Sequence, residues 1–79
     1  MVTRKLYRSP LFSQRVAELK PVPAEERAIN QAMALLGEHP ERGYRILFPF
    51  QGVWCYPFGR FRLYYIFSSD ELTATTLEA

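Results

Sequence analysis

Three arginines, Arg45, Arg60 and Arg62, lie in the stretch Tyr44–Ser69, and no acidic residue shares it with them. They are interleaved with Trp54, Tyr56, Phe58, Tyr64 and Tyr65. A guanidinium forks onto phosphate oxygens and aromatic rings stack unpaired bases, so this mixture suits the gripping of a nucleic-acid backbone. Arg62 carries the most weight, because it falls in the middle of the most apolar segment, where a charge is costly without a partner or a ligand. Arg45 and Arg60 read as rim charges that add to the same basic surface, with Tyr64 beside Arg62. The plainer reading is that most of these rings are core and the arginines line its edge, since large rings in a small domain are usually buried.

Other residues offer less. Cys55, between Trp54 and Tyr56, has no adjacent base and reads as a buried structural thiol. His39, in Gly37-Glu38-His39-Pro40, reads as an exposed loop residue, and Ser68-Ser69 as turn chemistry. One cysteine and one histidine leave no soft-ligand zinc site within the chain. Glu25-Glu26 is read as first-turn charge on a helix, which complements the helix dipole. With no phosphate loop, dinucleotide fingerprint or catalytic triad motif, any reaction has to run on positioned arginines and hydroxyls. No cofactor and no metal are expected.

The elements that must position these residues follow from the patterning. Residues 2–8 read as a first strand, closed by a turn at Ser9-Pro10. Phe12, Val16 and Leu19 share one face of a helix over Leu11 to Lys20. Pro21-Val22-Pro23 stops it and opens a second helix, in which Ala28, Ile29, Ala32, Met33 and Leu36 continue the apolar stripe. Gly37 is expected as its left-handed cap. So short a connection predicts an antiparallel helical hairpin.

Ten of the twelve aromatic residues then fall between Tyr44 and Phe67, where the period switches to two. Tyr44 to Phe50 predicts a strand that Pro49 confines to an edge, with a turn at Gln51-Gly52. Val53 to Tyr56 predicts another strand, followed by a turn at Pro57-Phe58-Gly59. Phe61 to Phe67 alternates Phe61, Leu63, Tyr65 and Phe67 against Arg62, Tyr64 and Ile66, the strongest strand pattern in the chain. After a hairpin loop at Ser68–Glu71, Leu72 to Glu78 returns as a Thr-rich strand. The order β-α-α-β-β-β, with room for one more short strand, predicts an α+β domain with the helices on one face of a mainly antiparallel sheet.

Composition sets the bounds. At 79 residues and 9.2 kDa the chain is one domain, 1–79, and 48% hydrophobic with 23% charged residues is too apolar for disorder. A formal charge of +2 is far from the excess with which a free-standing DNA binder neutralises many phosphates. No apolar run is long enough for a membrane-spanning helix and no signal-peptide core follows Met1, so a cytoplasmic protein with no membrane partner is expected.

The run Gly52-Val53-Trp54-Cys55-Tyr56-Pro57-Phe58-Gly59-Arg60-Phe61-Arg62-Leu63-Tyr64-Tyr65-Ile66-Phe67, within this order of elements, resembles the RelE/ParE superfamily of bacterial type II toxin–antitoxin toxins. The resemblance extends over nearly the whole chain. It lies in a glycine-plus-aromatic strand, a turn, a strand of the form Gly-x-aromatic-Arg-aliphatic-x-Tyr, a polar hairpin and a last strand. Arg62 falls on the family's strand arginine. The resemblance implies a toxin that inhibits translation by ribosome-dependent cleavage of messenger RNA, a metal-independent endoribonuclease (mRNA interferase), with Arg62 gripping the phosphate. In the ParE branch it implies a DNA gyrase inhibitor instead, and a catalytically degenerate relative would serve as a small interaction module that forms a homodimer.

RelE-like members carry lysines on the preceding strand, whereas Tyr44 to Tyr56 holds none. They also place an arginine, histidine or tyrosine beyond the last strand, where this sequence reads Leu77-Glu78-Ala79. The resemblance further implies a cognate antitoxin, for which Trp54, Tyr56, Tyr64 and Leu77 are expected to form an exposed groove. Acidic antitoxin residues would then cover Arg60 and Arg62.

Overall fold

The computed structural model describes residues 3–47 and 52–79. Its elements are β1 (Lys5–Arg8), α1 (Pro10–Leu19), α2 (Pro23–Glu38), a 3-10 turn (Pro40–Arg42), β2 (Tyr44–Ile46), β3 (Val53–Phe58), β4 (Phe61–Phe67) and β5 (Glu71–Glu78). The expected strand contributions of Val2 and residues 48–50, and the turn residue Gln51, lie outside the described residues.

Ser9 and Pro10 start α1. The Ser9 hydroxyl accepts from the Phe12 N–H at 3.0 Å, and Pro10 occupies a position where its missing N–H costs nothing. The helix ends at Lys20, which takes the left-handed conformation (φ 48°) and donates its N–H to Val16 O at 3.2 Å. Pro23 opens α2, and the Glu25 carboxylate reaches back to accept from the Val22 N–H at 3.0 Å. The two helices bury Phe12, and Ile29, Ala32, Met33 and Leu36, on one side of the sheet.

Gly37 does not cap α2. The helix runs on through Glu38, and Gly37 is buried in its last turn, where a Cβ would stand 2.8 Å from Leu6 Cδ2. Its carbonyl accepts from the Arg4 N–H, so the glycine lets the chain around β1 approach the helix.

The sheet has five strands in the order β1-β5-β4-β3-β2. β1 lies parallel to β5 and the remaining pairs are antiparallel, which gives the expected α+β layering. β3 is longer than its sequence suggested, with Pro57 inside it opposite Arg62 and the turn confined to Gly59-Arg60. β2 stops opposite Cys55, so position 57 has a strand on only one side and tolerates the missing N–H. Gly59, at φ 53°, makes the turn where a side chain would be strained.

Phe61, Leu63 and Tyr65 of β4 and Leu72, Ala74 and Leu77 of β5 complete the core beneath the helices. Tyr65 is fully buried, and its hydroxyl donates to the Pro40 carbonyl at 2.5 Å, tying the 3-10 turn to the sheet. Burial pushes its pKa up to about 12. Between β4 and β5 the register slips. Tyr64 faces Thr76 and Tyr65 faces Ala74, so Thr75 is an extra residue in β5, a β-bulge pinned by its hydroxyl donating to Tyr64 O at 3.1 Å. Strict alternation from Leu72 and Ala74 would send Leu77 to the far face. The bulge reverses the parity, so Leu77 enters the core and Thr76 and Glu78 turn outward.

Candidate functional site

The face of the sheet turned away from the helices holds the candidate site. Cross-strand partners share a face, and Arg62 on β4 stands directly opposite both Pro57 on β3 and Glu78 on β5. The next row along runs Tyr44, Cys55, Tyr64, Thr76 across four strands. Beyond it the face turns apolar at Ile46, Val53 and Ile66, with Thr73 and Tyr7 towards the β1 edge. A cleft of about 450 Å³ crosses this surface, walled by Ile46, Val53, Tyr64, Thr76 and Glu78 and closed by Leu11 and the bulge residue Thr75.

The side chains around Arg62 sense one another. The Tyr44 pKa is raised, first by the Cys55 thiol opposite it, and the Arg62 guanidinium opposes this. The Tyr64 pKa is raised by burial and then by the negative charge of Glu78, while the neighbouring Arg62 pulls it down. Cys55 is fully buried between the two tyrosine positions, as its lack of an adjacent base suggested. Arg62 itself is exposed and forms no ion pair among the described residues. Other arginines are tied into the fold: Arg4 donates to Ser68 O at 2.6 Å, and Arg8 to Asn30 Oδ1 at 2.5 Å while lying over the Phe12 ring.

Of the residues singled out in the sequence, Arg62 and Tyr64 come together on this face, and the others do not join them. Arg45 pairs with Trp54 and so faces the helix side, where it borders a hollow with Leu47, Trp54 and Phe67. Arg60 sits in the β3–β4 turn and clamps Glu25 with two hydrogen bonds, 2.6 and 3.2 Å, while donating to Leu19 O and covering the Phe61 ring at 4.5 Å. Its fork is engaged in fastening the turn to α2, so the expected basic surface of three arginines is not formed.

The expected groove of Trp54, Tyr56, Tyr64 and Leu77 is not formed either. Trp54 and Tyr56 are half-buried on the helix side, Trp54 edge-on to Phe67 with ring centres 5.3 Å apart. Leu77 is 0% exposed, brought into the core by the bulge. The residues that do stand beside Arg62, Glu78 and Tyr44, were not singled out. Tyr44 shares the alternation of its strand, but Glu78 reaches this face only through a bulge that no residue type announces.

Among the described residues no cluster of His, Cys, Asp and Glu could hold a metal ion, and no helix is long and apolar enough to cross a membrane. Comparison of the chain with protein-family models, with curated proteins and with solved structures finds no match.

Proposed function

We propose that the chain is a toxin of the RelE/ParE kind, which inhibits translation by cutting messenger RNA on the ribosome. The observation that carries this reading is Arg62: an exposed guanidinium in mid-strand, on the face of the sheet turned away from the helices, beside Tyr64 and without an ion pair among the described residues. Among the described residues Arg62 shares its lack of a side-chain hydrogen-bond or ion-pair partner with Arg27, Arg42 and Arg45, and of these four it is the one that lies in mid-strand on the sheet face turned away from the helices, which supports a ligand for it. A phosphodiester suits a planar fork that binds two oxygens at once. The reaction has the RNA 2′-hydroxyl attack the neighbouring phosphate, and Arg62 stabilises the charge that builds on the phosphate oxygens. In this reading the partners are ribosome-bound message and a cognate antitoxin, and the protein acts in the cytoplasm.

The test is a reconstituted translation reaction in which cuts in a defined message are mapped by primer extension. The parent chain is expected to cut, and both Arg62→Lys and Arg62→Ala to lose cutting, because the lysine keeps the charge and loses the fork. Parent-like cutting by both variants would remove Arg62 from the site.

One observation favours a second reading, ParE-like inhibition of DNA gyrase. Arg45 and Arg60 do not join Arg62, and the cleft beside it is mostly apolar, as a protein-binding surface would be. Loss of gyrase supercoiling in the presence of the chain, with translation intact, would select that reading.

A further inference from the structure

We propose that Glu78 is a catalytic residue of this surface, the base that takes the proton from the attacking 2′-hydroxyl, with Tyr64 as the acid that protonates the leaving oxygen. The inference rests on the nuclease reading and supplies the proton chemistry that Arg62 cannot.

Four observations lead to it. Glu78 stands directly across from Arg62 on the neighbouring strand, and Tyr64 lies two residues along the same strand as Arg62. Both Tyr64 and Glu78 wall the cleft, and Glu78 lies diagonal to Tyr64, a separation of roughly 7–8 Å that long side chains bridge. Glu78 and Arg62 face one another without forming an ion pair, so neither charge is spent on the other. The bulge at Thr75 is what turns Glu78 to this face, and bulges commonly re-aim side chains beside active sites.

The chemistry balances with these groups alone. A phosphodiester held by Arg62 presents its 2′-hydroxyl and its 5′-oxygen on opposite sides of phosphorus. Glu78 takes the 2′-hydroxyl proton as the 2′-oxygen bonds to phosphorus. The bond from phosphorus to the 5′-oxygen breaks, and that oxygen takes the Tyr64 hydroxyl proton, leaving a 2′,3′-cyclic phosphate and a free 5′-hydroxyl. The Tyr64 oxygen then recovers a proton from Glu78, which restores both residues. Burial and the nearby carboxylate favour the protonated form of Tyr64, the form an acid needs. Arg62 opposes this, and its positive charge stabilises the oxygen once the proton has left.

The experiment uses the whole chain with translating ribosomes and one defined message, prepared with a ribose or with a single 2′-deoxyribose at the mapped cut. Glu78→Gln is expected to cut the ribose message at least about 100-fold more slowly, the usual worth of general acid–base catalysis. Its binding to the deoxy message should stay within about threefold of the parent, a factor below one decade of affinity. Tyr64→Phe should also slow cutting while binding is kept, and Glu71→Gln, at the far end of the same strand, should cut like the parent. Cutting by Glu78→Gln at the parent rate overturns the inference and leaves the nuclease reading standing. Loss of binding in step with cutting also overturns it, since Glu78 would then be holding the surface together. If the parent cuts no message at all, the nuclease reading fails and this inference fails with it.

Discussion

Leu77→Ala tests the bulge on which the arrangement of β5 depends. Leu77 is fully buried beside Leu63, its partner on β4, and in contact with the core under α1. Truncating a buried leucine removes its transfer free energy and leaves a cavity, together about 2–5 kcal/mol. A 79-residue domain has a total stability of about 4–12 kcal/mol at the usual value per residue, so the loss takes a large share of it. At about 4–8 °C per kcal/mol for a domain of this size, the melting temperature should fall by at least about 8 °C. Thermal denaturation followed by far-ultraviolet circular dichroism reads this, with Thr76→Ala as the comparison. Thr76 is only partly buried and faces the open side, so its truncation should shift the midpoint by far less. A Leu77→Ala variant that melts with the parent, or below which Thr76→Ala falls, would mean that β5 alternates without a bulge. Leu77 would then be a surface residue, as the sequence pattern alone suggested, and Glu78 would no longer face Arg62.

Two further outcomes follow from the ionisable groups. The Tyr65 pKa is raised from 10.0 to about 12, so the folded state holds this proton more tightly than the unfolded chain. The stabilisation is complete below pH 10, and is lost as pH rises through about 12. Tyr65→Phe should flatten that alkaline limb in denaturant titrations, while costing about 1–3 kcal/mol at neutral pH through the unsatisfied Pro40 carbonyl. The Glu25 pKa is lowered, first by its hydrogen bonds from Arg60 and then by the Val22 amide, so its contribution is present above the ordinary carboxylate range and fades as pH falls through the lowered value. A carboxyl-detected NMR titration should show Glu25 moving upward in Arg60→Ala, and an unchanged value would mean that Arg60 is free to act elsewhere.

The sequence held the fold well where local chemistry and period agree. Ser9-Pro10 and Pro23 mark the helix starts because caps and proline act within a few residues. The alternation from Phe61 to Phe67 correctly separates the Leu63 and Tyr65 face from that of Arg62 and Tyr64. Gly37 misled because two physical demands select glycine: a left-handed cap, or a neighbour too close for a Cβ, and only the position of Leu6 tells them apart. Arg60 misled for a similar reason. Its acid, Glu25, is 35 residues away in sequence, so a stretch without acids looked unpaired when its turn was already clamped to a helix.

The candidate site was half legible, and for Leu77 and Glu78 the misreading has a single physical origin. Arg62 and Tyr64 lie on a strand of uninterrupted period, so their shared face can be counted from the sequence. Glu78 and Leu77 lie beyond Thr75, and one extra residue exchanges their faces, because the side-chain period of a strand is two. A bulge is fixed by contacts from elsewhere, here the Thr75 hydroxyl on Tyr64 O and the Ser9 hydroxyl on Thr75 O, the latter spanning 66 positions of sequence. Ser9 also caps α1, so the same hydroxyl group links the start of the helix to the residue that turns a carboxylate towards Arg62. The surface around Arg62 is therefore assembled by the N-terminal turn as much as by the strands that carry its side chains.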